Sequence, residues 1–203
     1  TTMITTIGIF LFPEIEVLDF AGPYEVFTTA TRVAGRQSPG TEPVFSVFSV
    51  SAAGDPVLTR AGLRIVPDFT FASHPHIDLL VIPGGVVTGE MDKTEVCRWI
   101  STTAASSALT ASVCTGVFLL ARAGVVANHR VTTHWEDIAE LRALFPGLHV
   151  IGDVRWVDEG AIVTSAGISA GIDMSLHLVE KIAGRELAVA TARQMDFDWR
   201  QGS

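Results

Sequence analysis

The stretch Ala111-Ser112-Val113-Cys114-Thr115-Gly116, closing the apolar run "ALTASV" (108–113), decides how the chain is read. A buried strand passes here straight into the helical pattern "TGVFLLARAG" (115–124), and the residue at the corner is a cysteine. A strand that turns so sharply into a helix crowds its corner, so small residues are favoured two before and two after it. Ser112 and Gly116 meet that demand. A cysteine there lies near a helix N-terminus, whose partial positive charge favours the nucleophilic thiolate over the thiol. The competing reading is a small buried hydrophobe, a common fate of free cysteine.

Working outward, strand and helix patterns alternate. "TIGIFLF" (6–12) and "VFSVFSVSA" (44–52) are β-branched and aromatic strands, and "AGPYEVFTTATRV" (21–33) between them is a helix with Pro23 in its first turn. "VLTRAGLRIVPDF" (57–69) reads as a small hairpin decorating an edge. "IDLLVIP" (77–83) is a fully apolar strand running into Gly84-Gly85, and "KTEVCRWISTTAAS" (93–106) is the helix after it. Beyond the elbow come a helix at about 135–145, a hairpin at 154–166 turning at Glu159-Gly160, and a helix at 169–184 ended by Gly184. Apolar strands alternating with helices predict a mostly parallel α/β sheet covered on both faces, whose sites gather beyond the carboxyl ends of the strands.

The 203 residues show no change of texture, repeat or linker, so residues 1–203 are expected to form a single domain. Charged residues make up 18%, below the roughly 25% usual for soluble domains, against 48% apolar. That apolar surplus predicts a homo-oligomer, with a homodimer the expected assembly. A net charge of −8, with no cluster among 14 basic residues, argues against nucleic acid as a partner. Two cysteines and no leader pattern suggest a cytoplasmic setting, and no apolar run is long enough to span a membrane.

Further features bear on where a site would lie and what it could do. Asp19 is a carboxylate inside the apolar stretch "EVLDFAGP" (16–23): either a helix cap, or a general acid or base whose pKa apolar surroundings raise. Gly84 and Gly85 form a tight turn, or open the backbone so that the Gly85 and Thr115 N–H groups converge on a developing negative charge. His134 in "TTHWED" (132–137) is a partner for a cysteine or a structural histidine beside Trp135. Cys97, within a helix and with no CxxC partner, reads as structural, and the six histidines show no metal-ligand spacing.

Taken together, "GIFLFPEIEVLDFAGPYEVF", "DLLVIPGG", "ASVCTGVFLLARAG", "VTTHWEDIAEL" and "TSAGISAGIDMSLHLVE" resemble the ThiJ/PfpI superfamily over nearly the whole chain and in the right order. Within it the chain is similar to the isocyanide hydratases and to the ligand-sensing domains of AraC-type regulators, which share the LD-x-x-GP segment, the VCTG elbow and the THW motif. PfpI-type proteases follow the nucleophile with histidine, where this chain has Thr115. Glutamine amidotransferases place their His-x-Glu pair far downstream, whereas His134 follows Cys114 by only 20 residues.

The resemblance implies a flavodoxin-like three-layer sandwich that needs no cofactor and takes a small-molecule substrate. In it, a Cys114 thiolate attacks an isocyanide, Asp19 carries protons and activates water, and Thr115 orders Asp19 or water. Gly84 and Gly85 would line the pocket by their backbone, and Gly167 and Ile168 would form part of its wall. The alternatives are a sensing domain, disfavoured because a chain ending at Ser203 leaves no room for a helix-turn-helix, and a glyoxalase or a redox-responsive protein whose acidic Cys114 is oxidised to sulfinic acid.

Overall fold

β-branched and aromatic residues carry the chain straight from Thr5 to Phe10 (β1) in the computed structural model, which describes residues 5–201. The chain then runs through α1 (Val17–Gln37), β2 (Phe45–Ser51), a hairpin of β3 (Val57–Leu58) and β4 (Arg64–Ile65), β5 (Phe69–Thr70), β6 (Leu79–Ile82), α2 (Thr88–Met91), α3 (Thr94–Ser106), β7 (Leu109–Val113) and α4 (Gly116–Arg122). It continues through β8 (Arg130–Val131), one 3₁₀ turn (Trp135–Asp137), α5 (Ile138–Leu144), β9 (His149–Val150), β10 (Trp156–Asp158), β11 (Ile162–Ser165), α6 (Ala170–Ala183) and α7 (Arg185–Gln194).

Seven strands form one sheet in the order β10-β11-β7-β6-β1-β2-β5. Its pairs are parallel except β10 with β11, which turn back on each other with Trp156 opposite Ser165. Because successive side chains on a strand point to opposite faces, Ile7, Ile9, Leu79, Val81 and Val113 pack against Phe27 of α1, Met174 of α6 and Ala188 of α7. Phe10, Leu80 and Ile82 pack the other way, with Ile100 of α3 and Leu120 of α4. This is the mostly parallel sheet covered on both faces that the alternation of apolar strands and helices predicts, and the flavodoxin-like sandwich that the resemblance implies.

The elements depart from expectation where short-range signals are weak or misleading. α1 begins at Val17, four residues earlier than predicted, so Pro23 lies inside it rather than in its first turn. The start lacks its usual marker, since the N-cap Glu16 makes no side-chain cap bond, and the fixed φ of proline suits a helix even though Pro23 has no N–H to offer the Asp19 carbonyl. The hairpin at 57–69 does not decorate an edge. Glu14 N–H donates to Leu58 O and Arg60 N–H to Ile15 O, which holds β3 and the following turn against residues 13–16 at the carboxyl end of β1. α2, α7 and the parallel pair β8–β9 were not anticipated. β8 and β9 are two residues each, too short to show a period.

No helix among the described residues is long and apolar enough to cross a membrane.

The elbow rests on one close approach. A Cβ built on Gly116 would stand far inside van der Waals distance of the Ile82 carbonyl oxygen, and both groups are backbone. Gly116→Ala should therefore lower stability by about 2 kcal/mol or more, read as the urea midpoint. At Gly35, an exposed position near the end of α1 with nothing within 4 Å of its added Cβ, substitution by alanine should instead raise stability by about 0.5 kcal/mol.

Candidate active site

The first three strands of the sheet centre end together, and their following loops are laced to one another. After β1, Glu16 N–H donates to Gly84 O and Ile15 bridges Gly85; after β6, Val86 N–H donates back to Glu14 O. After β7 the chain turns at Cys114, which adopts φ 56°, a left-handed conformation rare outside glycine. Cys114 N–H donates to Ser165 O at 3.2 Å.

These loops place a carboxyl group against the sulfur. Asp19 is fully buried in the first turn of α1, where it is not a cap, the N-cap being Glu16. Its Oδ2 accepts the Gly84 N–H at 3.0 Å, its side chain hydrogen-bonds Cys114, and its Oδ1 is buried with no hydrogen-bond partner. Burial, with a smaller push from Glu16, raises its pKa from 3.8 to about 7 against the pull of the Gly84 N–H, Cys114 and Arg60. Gly84 has no room for a side chain, because its Cβ would meet both Thr115 and Asp19.

Cys114 departs from the expectation of an acidic thiol. Burial first, and then the Asp19 charge, push it up to about 12, although the N–H groups of Thr115 and Ile168 hydrogen-bond the sulfur and pull the other way. α4 is only seven residues long, so its N-terminus is outweighed. The geometry favours a thiol and a carboxyl sharing one proton over a free-standing thiolate.

Thr115 and Gly85 also differ from the predicted arrangement. The Thr115 hydroxyl donates to Gly85 O at 2.9 Å and accepts Gly85 N–H at 3.0 Å, so it clamps the glycine turn instead of ordering Asp19. With Gly85 N–H so engaged, the amides that converge on the sulfur are those of Thr115 and Ile168. Ile168, a β-branched residue, holds φ 42°, a strained conformation.

His134 stands on the rim and makes no hydrogen bond to Cys114. Its Nδ1 accepts the Glu136 N–H at 3.2 Å and lies 3.5 Å from Asp137, while its ring rests on Gly167, where any Cβ would collide with it. What holds this segment escaped the sequence reading. The Thr133 hydroxyl donates to Cys114 O at 2.9 Å, and Thr132 N–H donates to Thr164 Oγ1. Cys97 sits half-buried in α3 with its sulfur directed at Met91 O.

Above the sulfur opens a cleft of about 690 Å³. Gly85, Cys114, Thr115, His134 and Ile168 line it, together with Val87, Met91 and Phe118. Gly84 lies behind this surface and Gly167 beneath His134. Arg60 from the hairpin and Glu16 also face the cleft, paired at 3.5 Å, a contribution no local signal in the hairpin announced.

The model of the DJ-1/PfpI family matches residues 5–181. The chain belongs to that family. Among its relatives, an isonitrile hydratase of Pseudomonas putida is 32% identical over 96% of this chain and 79% of its own length. The HTH-type transcriptional regulator GbdR of Pseudomonas aeruginosa is 28% identical over 95% of this chain, which spans about half (51%) of the regulator. A ThiJ/PfpI family protein from Pseudomonas syringae superposes with a TM-score of 0.85 at 26% identity, covering 97% of this chain and 76% of that one. The family thus joins enzymes and regulators on this fold.

The raised Asp19 pKa couples the site to stability. The folded protein keeps the Asp19 proton up to about pH 7, whereas the unfolded chain releases it near 3.8, so this group's contribution to stability is lost as pH rises between those values. Asp19→Asn should flatten the fall in unfolding free energy between pH 4 and pH 8 by on the order of 3–4 kcal/mol, measured by denaturant titration at each pH.

Proposed function

We propose that the protein hydrates an isocyanide to an N-substituted formamide, with Cys114 as nucleophile and Asp19 as proton carrier. The observation that carries this reading is the buried thiol–carboxyl contact at the floor of the cleft. An isocyanide needs a nucleophile and a proton at the same carbon, and this pair holds both within one hydrogen bond.

The Asp19 carboxylate accepts the thiol proton as sulfur bonds to the terminal carbon of R–N≡C, then delivers it to that carbon, leaving the thioimidate R–N=CH–S–Cys114. Ionised again, Asp19 takes a proton from water as its oxygen adds to the same carbon, and passes it to nitrogen. Collapse breaks the C–S bond, releasing R–NH–CHO, and the hydroxyl proton returns to sulfur through Asp19. The Thr115 and Ile168 amides steady the sulfur while it carries negative charge. The similarity to the isonitrile hydratase supports the same chemistry.

A raised thiol pKa counts against the redox-responsive alternative, which calls for an accessible thiolate. The sensing alternative is favoured by the likeness to GbdR, and differs in binding a small molecule without turning it over.

Formamide production from an aromatic isocyanide tests the proposal. Cys114→Ala should abolish turnover, and Asp19→Asn should lower kcat by roughly 10²–10⁴-fold, with both variants folded. Wild-type kcat/KM should rise with pH through about 7, because a protonated Asp19 cannot take the thiol proton. Saturable binding with no product would give the site to sensing instead.

A further inference from the structure

The peptide between Cys114 and Thr115 is held at both of its polar ends. Its N–H, that of Thr115, hydrogen-bonds the Cys114 sulfur. Its carbonyl, that of Cys114, accepts the buried Thr133 hydroxyl at 2.9 Å. A trans peptide is planar, with oxygen and hydrogen on opposite sides of the C–N bond, so the direction of one sets the direction of the other. Fixing the carbonyl therefore fixes the roll of the amide that serves the sulfur.

The donor is itself anchored. Beside it, Thr132 N–H donates to Thr164 Oγ1 at 2.9 Å and the Thr132 hydroxyl to Ile151 O at 2.7 Å. Thr164 lies opposite Ser112 and Ser165 opposite Val113 where β11 pairs with β7, and Ser165 O takes the Cys114 N–H. The chain of contacts closes a circuit from Cys114 through Thr133, Thr132, Thr164 and Ser165 back to Cys114, and all of these residues are buried. Cys114 needs such a frame, because a non-glycine residue at φ 56° stays there only where its surroundings over-determine it.

The frame does more than hold the turn. A hydrogen bond accepted by a carbonyl polarises its peptide and strengthens the N–H on the other side. The Thr133 hydroxyl thus bears on the sulfur twice, by aim and by polarity, although Thr133 does not line the cleft above Cys114. Ile168 N–H also reaches the sulfur, so losing the Thr133 bond weakens the support of the thiolate without abolishing it.

We propose that Thr133 is a positioning residue for the reaction at Cys114: bound to the Cys114 carbonyl, its hydroxyl aims the Thr115 N–H at the sulfur and steadies the negative charge that sulfur carries. The proposal rests on reading Cys114 as the nucleophile of the cleft.

Two replacements separate the hydroxyl from the rest of the side chain, in Cys97→Ser protein as the parent. Thr133→Val keeps the shape and removes the donor; Thr133→Ser keeps the donor and removes the methyl group. Alkylation of Cys114 by iodoacetamide is timed in the folded proteins at about pH 8, where the rate follows the thiolate fraction. Thr133→Val should be slower than the parent by about three- to tenfold, and Thr133→Ser should restore most of the rate. If the valine protein does not fold, Thr133→Ala against Thr133→Ser makes the same comparison on a smaller side chain.

The amide is read directly. Cys114-Thr115 is the only Cys–Thr step in the chain, so ¹³C′-cysteine with ¹⁵N-threonine labelling isolates its signal. The Thr115 proton should move upfield in Thr133→Val and return in Thr133→Ser. An unchanged rate or an unmoved amide on loss of the hydroxyl, or a serine protein as slow as the valine one, overturns the proposal.

Isocyanide hydration is measured alongside, and kcat in Thr133→Val should fall by a similar factor with KM little changed. No hydration by the parent, with alkylation and amide responding as expected, would sink the hydratase reading and leave the positioning role. Hydration and alkylation both untouched by Thr133→Val would sink the positioning role and leave the hydratase reading.

Discussion

The Cα of Gly116 lies against the carbonyl oxygen of Ile82, and the geometry of the whole site depends on that contact. It lets the start of α4 sit directly on the end of β6, which a side chain would prevent. The turn between β7 and α4 must then be short enough to throw Cys114 into a left-handed conformation. It also brings the Thr115 hydroxyl within reach of both polar groups of the Gly85 backbone. Three loops from three strands are thereby fixed relative to one another, and Asp19 arrives at the sulfur through its bond to Gly84 N–H.

The electrostatics follow from the same crowding. Excluding water penalises charge on the sulfur and on the carboxyl alike, so both pKa values rise, and the Asp19 charge further disfavours a thiolate. Above about pH 7 the result is a pair that holds one proton with little preference to lose it. Such a pair moves a proton over a short distance without waiting for solvent. A thiolate exposed at the tip of a long helix would be more reactive toward any electrophile and less able to return the proton to carbon.

Legibility in the sequence tracked how local each constraint is. The elbow was readable because Ser112, Cys114 and Gly116 report steric demands within five residues of chain. Asp19 stood out as a lone carboxylate in an apolar run. The state of the thiol was not readable, since burial and the Asp19 charge act across space, the latter from the first turn of α1. The clamps of Thr115 on Gly85 and Thr133 on the Cys114 carbonyl were equally hidden, because a threonine in a loop looks the same whether its hydroxyl meets water or a backbone group. The true start of α1 at Val17 is masked in the sequence, because Pro23 imitates a helix start. Arg60 was missed because a charged residue in a hairpin turn is ordinarily a solvated one.

The hairpin that carries Arg60 is tied to the rest of the molecule differently from the elbow. β3 and β4 form a separate two-stranded ladder, joined by main-chain bonds to residues 14 and 15 and outside the seven-stranded sheet. Side chains on its turn can change without disturbing the packed faces of that sheet, whereas the floor of the cleft tolerates almost no substitution. The molecule thus separates a sterically constrained reaction centre from a rim that mutation can explore cheaply, a division of labour that leaves the scaffold room to change its ligand without rebuilding its floor.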